Sequence, residues 1–255
     1  MKLTVVRANP AGNITLFVRT PVDRAQYGAV GEKLLALRRF KAEQVGFVCG
    51  ERLAMAGGEF CGNAARAFGL LTAKERGLTG KAHLTLSVSG CERPVGVDVD
   101  TEAGTARAEM PLPRFVRTET VGNVHGTLVH LGGIAHFVVE GVAPSEEFFT
   151  AAEPLFLSLG TLDAYGVIFS DGTRMTPLVK VPAVNSLVWE GSCGSGSLAA
   201  AVAQSAGADG VFERDYIQPA GTVCATVERR GGEAVAAYIG GRVTLDKPVE
   251  VEIDL

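Results

Sequence analysis

The sequence predicts a mixed α/β protein built from two structurally similar halves, on three observations. β-Branched runs alternate with helical runs along the whole chain. A glycine-rich turn ending in a cysteine opens an alanine-rich helical run twice, at Cys61 and at Cys193, 132 positions apart. The strands after each copy fall at matching distances, a strand core beginning at Leu84, 23 positions after Cys61, and at Ile217, 24 after Cys193. A repeat of about half the chain is too long for a solenoid. It implies duplication into two like domains related by a pseudo-twofold, read as residues 1–118 and 119–255.

In the first half, "KLTVVRA" and "NITLFVRT" are β-branched runs divided by a turn at "NPAGN". "PVDRAQYGAVGEKLLALRR" reads as a helix with Pro21 at its start and apolar positions at Val30, Leu34 and Leu37. "QVGFVCG" is a strand that places Cys49 in a core. After the turn at Cys61, "AARAFGLLTAKERG" is a helix whose Ala64, Ala67, Phe68 and Leu71 share one face and which stops at Gly77. "AHLTLSVSG", "PVGVDVD" and "TARAEMPL" follow as strands joined by tight turns.

The second half repeats this order. "TLVHLGG" and "AHFVVEG" are strands, "PSEEFFTAAEPLFLSLG" a helix, and "AYGVIFSD" and "VNSLVWE" strands. "GSCGSGSLAAAVAQSAG" is the second cysteine turn and helix, and "YIQPAG", "TVCATVERR" and "AVAAYIGG" close the set as strands.

Composition narrows the function classes. The chain has 255 residues, 47% of them apolar, enough for a substantial core, and a net charge of −4 without long single-sign runs. That balance argues against nucleic acid or an anionic membrane as partner. No signal-peptide h-region and no run near the roughly 18 residues of a membrane span is present, so a cytoplasmic location is expected. Five cysteines, an odd number without CxxC pairs, fit neither a disulfide framework nor a zinc site. No metal is expected.

A helix start carries unpaired N–H groups and about half a positive charge, both of which favour a thiolate. Cys61 and Cys193 each occupy such a start, whereas Cys49 and Cys224 lie in apolar strand patterns and Cys91 at a turn. Two like loops meeting across a cleft between domains would oppose two acid–base thiols. Groups on opposite faces of one carbon suit stereoinversion: a thiolate removes a proton and a thiol returns one to the other face. Helix N-termini would stabilise charge developing on a substrate carboxylate. No lysine sits in a pyridoxal-phosphate setting, so the chemistry is expected to need no cofactor. Glu190, close to Cys193, is a candidate for orienting the substrate amine.

At these segments the sequence resembles the diaminopimelate epimerase family. "EFCGNAAR" is similar to its first catalytic loop, with Cys61, Gly62, Asn63, Ala64 and Arg66 matching. "SCGSGS" resembles the second, Cys193, Gly194 and Ser195 standing where the family has Cys-Gly-Thr. "PAGNIT" resembles the N-terminal segment whose asparagine contacts substrate, here Asn13, and "GGIAHFVV" the strand start whose histidine lies in the active site, here His136. Read by themselves, Asn13 also suits a turn and His136 a core strand. The resemblance implies a two-domain fold with the site in the interdomain cleft, cofactor-independent racemisation or epimerisation of a small-molecule amino-acid substrate, and a homodimer.

The departures concern the substrate. The family's Glu-Arg before the second cysteine is Val184 and Asn185 here, its asparagine nine residues before the first is Arg52, and a further asparagine is lost to Gly133 or Ile134. These groups hold the distal amino-carboxylate of diaminopimelate. The chain therefore looks more like the branch containing the histidine racemases of metallophore biosynthesis. The alternatives are a diaminopimelate epimerase (L,L to meso), a thiol redox protein, or a non-catalytic amino-acid-binding module.

Overall fold

The computed structural model describes residues 1–182 and 185–255. In chain order the elements are β1 (Lys2–Pro10), β2 (Thr15–Val18), α1 (Tyr27–Leu35), β3 (Gln44–Cys49), β4 (Arg52–Met55), α2 (Gly62–Glu75), β5 (Lys81–Val88), β6 (Val95–Asp100) and β7 (Thr105–Glu109). There follow β8 (Phe115–Val121), β9 (Val124–His130), β10 (Ile134–Glu140), α3 (Glu146–Leu157), β11 (Ala164–Ser170), β12 (Met175–Val181), β13 (Ser186–Trp189) and α4 (Gly194–Gln204). The last are β14 (Gly210–Gln218), β15 (Gly221–Arg230), β16 (Glu233–Leu245) and β17 (Val249–Glu252). No helix among the described residues is long and apolar enough to cross a membrane.

The chain divides into two compact units, Met1–Glu109 with Gly240–Leu255, and Met110–Ile239. The division at 118/119 read from the repeat assigned the C-terminal segment to the second half. Instead β17 pairs antiparallel with β1 and the end of β16 pairs with the end of β1, so those residues complete the first unit.

Each unit has the same wiring. In the first, β1–β2 is antiparallel, β2–β3 parallel around α1, β3–β4 antiparallel, and β4–β5 parallel around α2. In the second, β9–β10 is antiparallel, β10–β11 parallel around α3, and β11–β12 antiparallel. A parallel bridge, Arg174 to Ile217, then joins the start of β12 to β14 around α4. Even the outer strand recurs: β8 flanks β9 as β17 flanks β1. Parallel neighbours need a crossover, and the helices supply it.

The two cysteine-led helices are core elements. In α2 every residue from Gly62 to Ala73 is buried, so the expected single apolar face is an all-round one. Small residues permit this: a Cβ at Gly69 would stand 2.5 Å from Val97 Cγ1 on β6. α4 is equally enclosed from Gly196 to Val202. By contrast α1 begins only at Tyr27, after a short 3-10 turn capped by Asp23, and not at Pro21, and it buries just Val30, Gly31 and Leu34. Cys49 ends β3 exposed, which corrects its core placement: the burial pattern of the strand breaks at its last residue, beside the turn to β4.

Candidate active site

Cys61 is the N-cap of α2, in extended conformation (φ −130°, ψ 111°), and its Sγ accepts from Ala64 N–H at 3.4 Å. The loop before it rests on the end of β5. Ser89 Oγ donates to Glu59 O at 2.7 Å, and a Cβ at Gly90 (φ +74°) would lie 2.3 Å from Phe60 N. Only glycine fits there. Asn13, just after a turn in which Ala11 takes φ +61°, brings Oδ1 to 3.9 Å from Cys61 Sγ. The same Oδ1 accepts from Gln44 Nε2 at 2.7 Å, while Asn13 Nδ2 donates to Glu43 Oε2 at 2.7 Å. Asn63 turns its side chain the other way: its Oδ1 accepts from the buried Arg66 Nε at 3.0 Å, and its backbone N–H faces the thiol.

Cys193 caps α4 in nearly the same conformation (φ −115°, ψ 112°), and its Sγ accepts from Gly196 N–H at 3.3 Å. A ring of hydrogen bonds locks it. Its N–H donates to Gln218 Oε1 (2.7 Å), Gln218 Nε2 donates to Ser197 Oγ (2.9 Å), and Ser197 Oγ donates back to Cys193 O (2.7 Å). Ser195 Oγ lies 3.5 Å from Sγ and 2.8 Å from His136 Nε2. The structure thus brings His136 and Ser195 to the second cysteine. Glu190 joins them, its carboxylate accepting a hydrogen bond from the Cys193 thiol.

The N–H groups of each helix start do pull its thiol toward the thiolate, but burial acts more strongly the other way. Burial pushes the Cys61 thiol up, and Glu59 adds to this, while the Ala64 and Asn63 N–H groups and the Gln44 amide oppose it. Burial raises Cys193 further, helped by the charge and hydrogen bond of Glu190 and opposed by Ser195 and Gly196. Desolvation outweighs the cap at each site. His136 is held neutral, its pKa lowered by burial to about 4, with the Gly166 backbone, its partner on β11, pulling weakly the other way. Three buried polar atoms among the described residues lack a partner in good hydrogen-bond geometry: Arg66 Nη2, His136 Nδ1 and Ser192 Oγ. All three belong to residues that neighbour one of the capping cysteines or touch its cap.

Comparison with known proteins agrees with this architecture. The family model for the histidine racemase CntK N-terminal domain matches residues 2–247. The chain belongs to the histidine racemase family. A histidine racemase of Fusobacterium nucleatum is 33% identical over 208 residues, 77% of this chain and 78% of that protein. One of Staphylococcus aureus is 27% identical over 92% of both chains. Among solved structures, a predicted epimerase of Pseudomonas aeruginosa superposes with TM-score 0.68 at 13% identity, covering 100% of both chains. A hydroxyproline epimerase of Agrobacterium vitis does so with TM-score 0.59 at 12% identity over 98% of this chain and 92% of that one. As a member of the histidine racemase family the chain is an isomerase, an amino-acid racemase.

Sequence reasoning missed Glu43, Gln44, Gln218 and Ser197. Gln218 sits 25 positions from the cysteine it braces, and only the β14 register brings it there. Of the departures from the epimerase pattern, Arg52 is exposed at the start of β4 and Asn185 takes φ +46°. Val184 lies outside the described residues.

Proposed function

We propose that the chain racemises free histidine at Cα, with Cys61 and Cys193 as the acid–base pair and no cofactor. The observation that carries the pair is the shared cap geometry: two helices of like position in like units each begin on a cysteine whose sulfur takes an N–H from the third residue on. In the reaction one sulfur, as thiolate, takes the Cα proton. The other, as thiol, gives its proton to the opposite face, and the reverse reaction exchanges the roles. The mechanism requires both loops to face one substrate carbon. Free N–H groups at the helix starts would hold the carboxylate into which the carbanion spreads. Burial serves the chemistry, because a desolvated thiolate is a stronger base toward a weakly acidic C–H. Asn13, the Gly62 and Gly194 N–H groups, and the polar set of Ser195, His136 and Glu190 would orient the substrate. A cytoplasmic homodimer is part of the same reading.

Histidine is favoured over diaminopimelate by the named relatives and by loss of the distal clamp at Arg52, at Gly133 or Ile134, and at Val184 and Asn185. Each missing charged hydrogen bond should cost about 1.5–3 kcal/mol, so diaminopimelate turnover should be weaker by roughly a hundredfold or more. The test is Cα deuterium wash-in from D₂O over all twenty L-amino acids and L,L-diaminopimelate. Histidine should exchange and approach equal amounts of both enantiomers from either side. Efficient conversion of L,L- to meso-diaminopimelate with histidine inert would overturn the substrate and leave the two-thiol mechanism standing.

A further inference from the structure

Arg66 is a buried cation without an anion. Its side chain is fully inaccessible, with Nε on Asn63 Oδ1, Nη1 on the Gly241 and Arg242 carbonyls at 3.1 and 3.2 Å, and Nη2 unpartnered. It forms no ion pair among the described residues. Burying an uncompensated guanidinium is costly. Its placement increases the cost. Long helical side chains lean toward the N-terminus, and the bond to Asn63 holds the guanidinium over the first turn of α2, where the helix dipole is already positive. That turn contains no acidic residue.

An anion at this point would relieve both fields, and the cap sulfur is the group placed to become one. Glu59 acts on Cys61 in the opposite sense, and Glu43, tied to Asn13, is itself pushed toward its neutral form by burial. Burial lowers the pKa of Arg66 to about 10, and the charge of a Cys61 thiolate acts against that lowering. Attraction between the two charges is mutual, so the guanidinium favours the thiolate, against the burial and the Glu59 charge that raise the Cys61 thiol.

Among the described residues, the second cap has no such group. Five positions after Cys193 stands Leu198, fully buried, where five after Cys61 stands Arg66. The charged group at Cys193 is the Glu190 carboxylate, which accepts the thiol hydrogen, and His136, reached through Ser195, is neutral.

We propose that Arg66 is a positioning residue that makes Cys61 the sulfur that ionises first, setting the free enzyme with its base on the Cys61 side and its acid on the Cys193 side. This rests on the reading of the two sulfurs as the acid–base pair. Proton balance then gives each turnover a direction of recovery. Cys61 thiolate gains the Cα proton, Cys193 thiol loses its own to the opposite face, and the enzyme is left with the roles exchanged. Arg66 and Glu190 both favour return of the proton from Cys61 to Cys193 through solvent.

The test is iodoacetamide labelling of the full chain across pH, with each cysteine followed by peptide mass spectrometry. Fitting an apparent pKa to each profile separates ionisation from access. In the wild type, Cys61 should titrate below Cys193. Arg66→Met should raise the Cys61 value by about one unit or more, a tenfold drop in labelling at fixed pH, and leave Cys193 unmoved. Arg66→Lys should restore most of the difference. The acid limb of kcat/KM should move with the Cys61 value. Prior ionisation of Cys193 in the wild type, or a Cys61 profile unmoved in a folded Arg66→Met protein, would overturn the proposal. If that variant does not fold, the wild-type order and Arg66→Lys decide. Thiol titration needs no turnover, so failure of the racemase reading shows separately, as absent deuterium exchange.

Discussion

The starts of α2 and α4 share a backbone and differ in every side chain that sets charge. Both cysteines are extended N-caps with sulfur on the N–H three residues on. Around Cys61 stand amides from Asn13 and Gln44 and a buried cation, and Cys61 keeps partial exposure. Around Cys193 stand a carboxylate, a hydroxyl and a neutral imidazole, and the sulfur is buried. Duplication supplies two equivalent positions for a thiol; divergence of the surroundings can then make one the easier base and the other the easier acid. A reversible racemase needs both roles in one molecule, and under the proposed two-thiol mechanism like caps in unlike surroundings would supply them.

The comparison breaks most severely if one sulfur is replaced. Serine is a far weaker acid, so Cys61→Ser and Cys193→Ser should each lower histidine racemisation by about a thousandfold or more, comparable to loss of a general acid–base group. Near-normal turnover by either variant would remove the two-base assignment. Circular dichroism should show both folded, since serine is itself a good N-cap.

A second effect belongs to the second unit alone. His136 has an ordinary pKa of 6.5 when unfolded and about 4 in the fold. Between these values the unfolded chain holds the extra proton, so stability falls as pH drops through the window, by about 3 kcal/mol in total. Burial shifts His130 in the same direction, whereas the one histidine of the first unit, His83, is exposed. Urea unfolding at pH 7 and pH 4.5 should show the loss, and His136→Gln, which keeps an amide toward Ser195, should flatten it. An unchanged pH slope in that variant would mean that the imidazole is not held neutral.

Much of this was legible in the sequence because caps and crossovers are local. A cysteine before Gly-Asn-Ala-Ala, or before Gly-Ser-Gly-Ser, reads as a helix start, and the repeat distance of the following strands exposes the duplication. β4, β8, β12 and β17 escaped notice. β4 is four residues long, Pro177 interrupts β12, β8 is mostly outward-facing, and β17 finds its partner only through pairing with the other end of the chain. The pull of the cap toward a thiolate was visible in sequence, whereas the burial that outweighs it is a tertiary property.

A finer difference lies three residues after each cysteine, where the donating N–H belongs to Ala64 in one cap and Gly196 in the other. A Cβ at Gly196 would meet Ile168 Cδ1 at 2.6 Å, Cys193 Sγ at 3.1 Å and Met175 Cε at 3.2 Å. Gly196→Ala should therefore cost about 1–3 kcal/mol by overpacking and displace the sulfur, seen as a lower Tm together with reduced kcat. Ala64→Gly, with no clash to relieve, should cost about 1 kcal/mol through helix propensity. Equal effects would show that the two caps are packed alike.

The smallest effects should come from thiols that begin no helix. Cys49 is exposed and begins no helix, so Cys49→Ser should change stability by no more than about 0.5 kcal/mol. Cys224 is half-buried on β15, its thiol pushed up to about 12 by burial and by Glu213 and Asp215, the latter accepting its hydrogen. Serine there keeps a donor for Asp215 but buries a more polar atom, so a loss of about 1 kcal/mol is expected. Neither variant should alter racemisation, because neither sulfur lies at a helix start where N–H groups could share a substrate carboxylate. Loss of turnover in Cys224→Ser at unchanged Tm would place a third sulfur in the reaction and end the pairing on which the comparison of α2 with α4 depends.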